Sequence, residues 1–284
     1  TALHILTIDS RGSDLYVMCN NKITGEGNVL HINAAGTQQI IAPVLGSPVQ
    51  YFKDESGIVW MGDVYNGVFK NGEKISPNSP NSYSSFNVAI EDNVTWISGG
   101  GTDGSWGYTY NTLGMYVLEN EKWKNINGYS SPALVNFPDI VNIAVSNDGK
   151  KAWLASNREG MAEVDLNTNT IQQYNQNNSP LTGASGDPAV TRVTAIALDK
   201  YSNVWMVNSY TNFGIIVKKA TGEWVKLPYL STGQLVKKLL ITSNGYKWML
   251  MRPGIINVYY DGSNLESTAD DAFRVLGTGK GNGG

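Results

Sequence analysis

The sequence is poor in the residues that form disulfides and soft-metal sites. It contains one cysteine, Cys19, and two histidines, His4 and His31. A single cysteine excludes a disulfide within the chain, and together the three residues make a poor set of ligands for a soft metal ion. We therefore expect neither a metal nor a cofactor.

Charge and long apolar runs are also scarce. Charged residues make up 16% of the 284 residues and the net charge is −3, whereas an average globular chain has about 25% charged residues. The basic residues are scattered, which argues against the basic face that nucleic-acid binding requires. No apolar run approaches the roughly 18 residues of a membrane-spanning helix. We expect no nucleic-acid partner and no membrane span in this chain.

Residues typical of short strands and tight turns take the place of the missing charge. The chain has 31 glycines, 15 tyrosines and 8 tryptophans, and it is rich in asparagine and serine. No long helical spacing of apolar residues is present. With 41% hydrophobic residues, the chain has enough apolar side chains for a large core, and all-β chains of this size often form one domain.

One unit recurs along the chain. It consists of an alternating apolar run, a polar turn, an apolar run with a large aromatic residue, a loop, and a glycine before another apolar run. It occurs at residues 3–32, 49–69, 86–117, 141–164, 193–217 and 236–258. The aromatic residues, which recur about every 45 residues, are Tyr16, Trp60, Trp96, Trp153, Trp205 and Trp248. Six such repeats predict an all-β fold, a β-propeller of four-stranded blades, with the aromatic side chains filling the space between blades.

Motifs of catalysis and phosphate binding are missing or misplaced. The pattern G-x-G-x-x-G occurs at 99–104 and 279–284, but neither copy precedes a predicted helix whose N-terminus would bind the phosphate. Walker, H-E-x-x-H and G-x-S-x-G motifs are absent. We predict no catalytic residue. A propeller enzyme remains a third hypothesis, which would require carboxylates or a metal converging at the mouth of the propeller.

Acidic residues recur at the turn between the first and second strands of a repeat. The five residues in or beside these turns are Asp9, Asp54, Asp92, Asp148 and Asp199. A turn-forming role explains all of them, because aspartate accepts hydrogen bonds from backbone N–H groups of the following residues.

The long loops fall on one predicted face of the propeller. The longest, residues 98–113, reads SGGGTDGSWGYTYNTL and contains Trp106, Tyr108 and Tyr110. Insertions confined to one face indicate the binding face of a repeat protein, and such rings can stack on sugars. The alternative is that the loop folds back as an extra hairpin and packs its own aromatic residues on the propeller.

Arginines and a further tyrosine occur in or beside loops of the same face. A ring of arginines at the mouth of the propeller, Arg158, Arg192 and Arg252, could hold carboxylate, phosphate or sulfate groups by forked hydrogen bonds. The alternative is that they are three unrelated surface or blade-bridging arginines. The residues that we predict to bind a ligand are Trp106, Tyr108, Tyr110, Arg158, Tyr210 and Arg252.

The repeat resembles a known family. Residues 49–62 and 193–205 are similar to the two-component regulator propeller repeat, and Asn178-Ser179-Pro180-Leu181 resembles its element between blades. The segment from Trp96 to Trp123 resembles the propeller of PorZ-type surface proteins of the type IX secretion system. The resemblance implies a non-catalytic binding and assembly propeller, on the outer face of the outer membrane or in the periplasm. Its partners would be other secretion-complex proteins or an anionic glycan.

The same resemblance leaves a second function and two blade counts open. The alternative function is the glycan-sensing periplasmic ectodomain of a hybrid two-component sensor kinase. Seven blades are usual in the family, so the six repeats indicate part of a seven-bladed propeller, with a closed six-bladed ring as the alternative. We expect residues 1–269 to form the propeller. Residues 270–284 are expected to be a glycine-rich tail that leads to a further blade or domain outside this chain.

Overall fold

The protein is all-β in the computed structural model, which describes residues 3–45, 47–64, 66–75, 78–228, 235–252, 254–262 and 264–277. These residues form six antiparallel sheets of four strands each, and one short 3₁₀ turn at Pro132–Leu134. In every sheet the strands are paired in chain order, as in a propeller blade. The predicted all-β propeller fold of four-stranded blades is confirmed.

The chain divides into two compact units, Thr1–Asn78 and Ser79–Gly284. Unit 1 contains sheets 1 and 2. Sheet 1 consists of β1 (Leu3–Arg11), β2 (Asp14–Asn21), β3 (Gly27–Ile32) and β4 (Gln38–Leu45). Sheet 2 consists of β5 (Pro48–Lys53), β6 (Val59–Asp63), β7 (Gly67–Lys70) and β8 (Glu73–Ile75).

Unit 2 contains sheets 3 to 6. Sheet 3 consists of β9 (Asn87–Glu91), β10 (Val94–Ser98), β11 (Met115–Glu119) and β12 (Lys122–Ile126). Sheet 4 consists of β13 (Ile140–Val145), β14 (Lys151–Ser156), β15 (Gly160–Asp165) and β16 (Thr170–Tyr174). Sheet 5 consists of β17 (Val193–Leu198), β18 (Val204–Asn208), β19 (Ile215–Lys218) and β20 (Trp224–Leu227). Sheet 6 consists of β21 (Val236–Ile241), β22 (Lys247–Met251), β23 (Ile256–Tyr260) and β24 (Ala272–Leu276).

The turn between the first two strands is built around an aspartate. The Oδ1 atom of Asp199 accepts hydrogen bonds from the backbone N–H groups of Tyr201 and Asn203, both at 2.9 Å. Its Oδ2 atom accepts a hydrogen bond from Trp205 Nε1 at 2.9 Å. Asp54 makes the equivalent bonds in sheet 2. The predicted turn-forming role is confirmed at these two positions.

The tryptophan of the second strand fills the space between neighbouring sheets of unit 2. Trp96 is fully buried against sheet 4, and its Nε1 donates a hydrogen bond to the Gly149 carbonyl at 3.0 Å. Trp205 is fully buried against sheet 6. Trp248 differs, because 38% of its surface is exposed. Trp248 is not part of the core that sheets 5 and 6 share, and its packing between blades stays a prediction.

In sheet 1, Tyr16 stands in the place of the tryptophan and is part of an aromatic stack. The ring of Tyr16 lies between His31 and Tyr51, with ring centroids 4.8 Å apart on each side. His31 Nε2 is 2.9 Å from Asp14 Oδ2. Both histidines lie in strands, His4 in β1 and His31 in β3.

Near the end of the chain, one segment differs from the sequence-based expectation, and another lies outside the described residues. Residues 272–276 form β24, which pairs with β23 as the fourth strand of sheet 6, rather than a tail that begins at residue 270. The second G-x-G-x-x-G copy lies at 279–284, outside the described residues. The copy at 99–104 precedes no helix. No helix among the described residues has the length and apolar character needed to span a membrane.

Candidate functional site

The long loop between β10 and β11 folds into a small hairpin. Thr102 and Tyr108 form an antiparallel bridge, and the Asp103 carboxylate accepts the N–H groups of Ser105 at 2.8 Å and Gly107 at 2.7 Å. The tip residue Trp106 has a φ of 68°. The extra hairpin considered in the sequence analysis therefore exists, at residues 102–108.

A buried carboxylate holds the base of this loop. Asp139, which is fully buried before β13, accepts the Thr109 hydroxyl at 2.6 Å, the Thr109 and Tyr110 N–H groups at 3.1 Å and the Asn111 N–H at 2.9 Å. Its own N–H donates to the Asn111 carbonyl at 2.8 Å. Asp139 is not among the residues predicted from the sequence. The signal available for it was an aspartate directly before the first strand of a sheet, rather than in the turn that follows that strand.

The tip of the hairpin reaches the other sheets of unit 2. The Trp106 carbonyl accepts hydrogen bonds from Arg192 Nη2 at 3.4 Å and from Asn157 Nδ2 at 3.5 Å. The Ser105 carbonyl accepts a hydrogen bond from Arg252 Nη1. Arg192 lies directly before β17 and Arg252 directly after β22. A loop of sheet 3 thus contacts segments that belong to sheets 4, 5 and 6.

Two arginines stack on the tyrosines of the loop and of sheet 5. Arg158 Cζ is 5.2 Å from the ring centroid of Tyr108 and 5.1 Å from that of Tyr110. Arg192 Cζ is 4.6 Å from the Tyr108 centroid and 4.9 Å from that of Tyr210. These distances are within the range of cation–π interaction, and Arg192 thereby joins the hairpin to the loop after β18.

A lysine completes the group at the hairpin tip. Lys237 Nζ lies 4.5 Å from the ring centroid of Trp106. The group of residues is called the cation–aromatic cluster below. Its members are Trp106, Tyr108, Tyr110, Tyr210, Arg158, Arg192, Lys237 and Arg252. The structure places all six predicted site residues in this cluster. It adds Arg192, which the sequence analysis considered but did not select, and Lys237, which it missed.

The cluster combines cations with nearby carboxylates. Close to its four cations are Glu159, whose Oε1 is 3.4 Å from Arg158 Nε, and Asp187, and the Asp103 and Asp139 carboxylates hold the loop itself. Burial raises the pKa of Glu159, and the neighbouring Arg158 opposes this shift. Burial likewise raises the pKa of Tyr108. The cations and the nearby carboxylates are equal in number, so an anionic ligand would depend on the hydrogen-bond donors of the guanidinium groups rather than on net charge.

A buried amide beneath the hairpin has an unused acceptor. Asn157 is 1% exposed, and its Oδ1 atom has no hydrogen-bond partner within the described residues. Its Nδ2 faces the Trp106 carbonyl. A buried acceptor without a partner is costly, so this position would favour a donor such as a hydroxyl group.

A polar contact connects the first strands of three sheets close to the cluster. Asn142 Nδ2 donates hydrogen bonds to the carbonyls of Thr194 and Lys237, both at 3.1 Å. The amide therefore links β13, β17 and β21, and it helps to fix the backbone from which the Lys237 side chain reaches Trp106.

The cluster contains side chains that could hold an anion and stack on a ring. Arginine side chains offer planar pairs of donors to carboxylate, phosphate or sulfate groups, and exposed tyrosine rings offer flat apolar faces. Tyr110 is 62% exposed and thus accessible to a ligand. Among the residues that the structure describes, no group of three or more histidine, cysteine, aspartate or glutamate side chains is placed to hold a metal ion.

No family model and no curated protein matches the sequence. Among solved structures, PorZ, an essential bacterial surface component of the type-IX secretion system of Porphyromonas gingivalis, is 16% identical with a TM-score of 0.65. The match covers 95% of this chain and 43% of PorZ. The chain is thus similar in fold to PorZ and spans less than half of its length.

Two weaker similarities are to other proteins. Virginiamycin B lyase of Staphylococcus aureus is 13% identical, with a TM-score of 0.45, and the match covers 96% of this chain and 87% of the lyase. The extracellular domain of a putative hybrid two component system from B. thetaiotaomicron is 15% identical, with a TM-score of 0.32, and the match covers 98% and 41%. Neither similarity is strong enough to bear on function.

Proposed function

We propose that this chain is a non-catalytic binding and assembly β-propeller of a cell-surface protein similar to PorZ. In this proposal it acts in type IX secretion at the outer face of the outer membrane and recognises an anionic glycan. The likeness in fold to a surface component of that secretion system supports the setting. Its partners would then be other proteins of the secretion complex.

The observation that carries the ligand proposal is the stacking of Arg158 and Arg192 on three tyrosine rings. Arg192 uses Nε and Nη2 on the carbonyls of Asn157 and Trp106, and Arg158 Nε faces Glu159. A guanidinium group has five N–H donors, so further donors of each arginine can serve a carboxylate or phosphate. The ring of Tyr110 remains 62% exposed, and a sugar ring can stack on it. A polymer that alternates sugar rings and anionic groups matches both features.

A binding role rather than catalysis fits the chemistry of the same residues. Arginine, tyrosine and tryptophan side chains position and neutralise a ligand, whereas hydrolysis of a glycan commonly uses a pair of carboxylates on either side of the bond. Glu159 is paired with Arg158 in the cluster. We therefore place Glu159 in the charge balance of the site and not in a reaction.

Binding of purified bacterial polysaccharides to the immobilised protein tests the proposal. Polysaccharides with uronic acid or phosphate groups and neutral ones of similar length would be compared. We expect the anionic polymers to bind. Two multiple variants should lose most of this binding. One is the triple variant Trp106→Ala, Tyr108→Ala, Tyr110→Ala, and the other is the double variant Arg158→Gln, Arg192→Gln.

A matched control separates the cluster from net charge. Lys122→Gln, Lys200→Gln combined removes the same charge from exposed positions outside the cluster, and we expect it to bind as the wild type does. Equal losses in both charge variants would assign the binding to nonspecific attraction. Absence of binding by the folded wild type would reject the glycan ligand and leave protein assembly as the function.

A further inference from the structure

One long connection lies on the side of the tight turns. The connection between the third and fourth strands has two to five residues in sheets 1 to 5, but it has eleven in sheet 6, residues 261–271. Because neighbouring strands are antiparallel, this connection lies at the opposite edge of the sheet from the one between the second and third strands. The loop at 98–113 is of the latter kind. The expectation that the long loops fall on one face therefore does not hold for residues 261–271.

Contacts with sheets 5 and 6 hold this connection in place. Leu265 packs on the core that the two sheets share, and Glu266 pairs with Lys219, which lies in the turn before β20. Asp271 Oδ2 accepts a hydrogen bond from the Tyr259 hydroxyl at 2.8 Å. A segment that is already held in this way loses little conformational entropy when a ligand binds against it.

A cavity of about 370 Å³ lies between this connection and the turns of sheets 5 and 6. Its other walls include the turn after β17, the turn after β21 and Tyr260, and all of its lining residues belong to unit 2. Cavities that hold small organic ligands have volumes of about 300–1,000 Å³. This cavity, called the Tyr260 cavity, is therefore large enough for a small ligand.

Most charged groups of the Tyr260 cavity already have partners within the protein. Lys247, whose side chain is 3% exposed, pairs with Asp261, and Lys219 pairs with Glu266. The Asp199 carboxylate accepts hydrogen bonds from the backbone of its own turn. A charged ligand would have to compete with these partners, whereas an uncharged ligand would leave them intact.

Two tyrosine rings line the Tyr260 cavity. Tyr201 is 68% exposed, and the ring centroid of Tyr260 lies 4.9 Å from that of Tyr246. Lys200 is exposed, and its Nζ lies 5.0 Å from the Tyr201 centroid. An accessible tyrosine ring offers a flat apolar face on which the C–H groups of a sugar ring can stack.

Hydroxyl and amide groups complete the lining. Ser243 and Asn244 lie in the turn after β21, and Asn264 lies in the connection between β23 and β24. Asn264 Oδ1 accepts the Glu266 N–H at 2.9 Å, which fixes the orientation of the amide. Amides and hydroxyls both donate and accept hydrogen bonds, as the hydroxyl groups of a sugar do. Tyrosine rings beside neutral polar groups therefore match an uncharged sugar.

We propose that the Tyr260 cavity binds an uncharged saccharide. One sugar ring would stack on a tyrosine of the cavity, and its hydroxyl groups would form hydrogen bonds with Ser243, Asn264 and the neighbouring polar groups. The site is separate from the cation–aromatic cluster, whose loop lies at the opposite edge of the sheets and whose arginines suit an anionic ligand. The proposal does not rest on the anionic glycan proposed above, and either ligand can be rejected without the other.

Binding of uncharged sugars to the chain tests the proposal. Maltose, lactose, mannobiose and diacetylchitobiose are added separately to the folded protein, and saturation-transfer-difference NMR detects those that bind. We expect at least one of these sugars to bind and to shift the amide signals of residues 242–246 and 264–271 in the labelled protein. Absence of binding by all four sugars, or shifts confined to residues 102–111, would overturn the proposal.

Two matched variants locate the bound sugar. Ser243→Trp fills the cavity from an exposed position, whereas Ser267→Trp places the same side chain at an exposed position of the connection outside the cavity lining. We expect Ser243→Trp to weaken sugar binding about ten-fold or more and Ser267→Trp to leave it unchanged. Circular dichroism verifies that both variants are folded. Equal affinities of the two variants for the sugar would contradict binding in the Tyr260 cavity.

A charged form of the same sugar tests the preference for an uncharged ligand. The sugar that binds best is compared with its uronic acid form in the variant Arg158→Gln, Arg192→Gln, so that the cation–aromatic cluster contributes little. We expect the uronic acid to bind about five-fold more weakly or worse. Equal or tighter binding of the uronic acid would overturn the proposal. Loss of uncharged-sugar binding in this variant would assign that binding to the cluster and overturn it as well.

Discussion

The Thr109 hydroxyl donates a 2.6 Å hydrogen bond to the Asp139 carboxylate, which joins the loop of sheet 3 to the segment before sheet 4. The same carboxylate accepts the N–H groups of Tyr110 and Asn111. The tyrosines that contact Arg158 lie on this stretch of backbone or next to it. The position of the aromatic residues therefore depends on a buried aspartate that is not itself part of the cluster.

Substitution of Asp139 is expected to release the loop. Asp139 has a φ of 53°, a conformation that asparagine tolerates and alanine does not. Asp139→Ala leaves several N–H groups without an acceptor, and we expect it to lower the free energy of unfolding by about 3 kcal/mol or more. Asp139→Asn should cost less. Urea unfolding measures the cost, and hydrogen exchange of residues 102–111 should accelerate in both variants. Unchanged exchange in Asp139→Ala would contradict the anchoring role.

Arg192 is expected to act through its shape as well as its charge. Its guanidinium contacts two rings and the Trp106 carbonyl, and lysine cannot reproduce this planar geometry. If the proposed glycan binds, Arg192→Lys should weaken binding about five-fold and Arg192→Gln about ten-fold or more. The affinities of both variants for the glycan should fall with rising salt, since exposed charges are screened. Titrations at low and high salt measure this, and wild-type affinity in Arg192→Lys would show that charge alone suffices.

The repeat could be recognised from sequence because its signals are local. Asp199, its turn and Trp205 lie within seven consecutive residues, and the side-chain bond between Asp199 and Trp205 closes over that short distance. The glycine that begins the third strand belongs to the same local pattern. Such a pattern predicts the strands, their order within a sheet and the long loops on one face.

The assembly of the site could be predicted only in part. Trp106 and Arg192 are 86 residues apart, and Ser105 and Arg252 are 147 residues apart. Residue type and loop position indicated six members of the cluster, but they gave no information on which rings and cations meet. Nothing in the local pattern marked Asp139 as the anchor.

The glycine that begins the third strand has a positive φ in sheets 2 and 4, but only in sheet 4 does neighbouring backbone also approach it closely. Gly160 has a φ of 84°, and a Cβ at this position would lie 2.2 Å from the Tyr174 carbonyl oxygen. Gly67 has a φ of 82° but open space around it. We expect Gly67→Ala to cost about 1–2 kcal/mol from backbone strain alone. Gly160→Ala should cost about 2 kcal/mol more, because the overlap must also be relieved. Urea unfolding measures the loss of unfolding free energy in both variants. Equal losses would exclude a contribution from the close approach of the Tyr174 carbonyl to position 160.

The buried pair of Lys247 and Asp261 is expected to respond unequally to removal of either partner. Lys247 Nζ lies 4.0 Å from the Trp205 ring centroid, and its side chain is 3% exposed against 19% for Asp261. Asp261→Asn removes the carboxylate that accepts a hydrogen bond from the buried ammonium group, so that Asp199 and Asp271 act on Lys247 by charge alone. Lys247→Met instead leaves a carboxylate that water can reach. We expect losses of unfolding free energy of about 3 kcal/mol for Asp261→Asn and about 1 kcal/mol for Lys247→Met.

The pH dependence of the two variants separates this explanation from a simple loss of packing. Burial lowers the pKa of Lys247 below its usual value of 10.5, and Asp261 opposes that shift. Between the lowered pKa and 10.5, the unfolded chain holds a proton that the folded chain has released, so the free energy of unfolding rises with pH. Asp261→Asn lowers the folded pKa further and widens this window. The free energy of unfolding of Asp261→Asn should therefore approach that of Lys247→Met between pH 7 and pH 10. A constant difference between the two variants would show that Lys247 is not the titrating group.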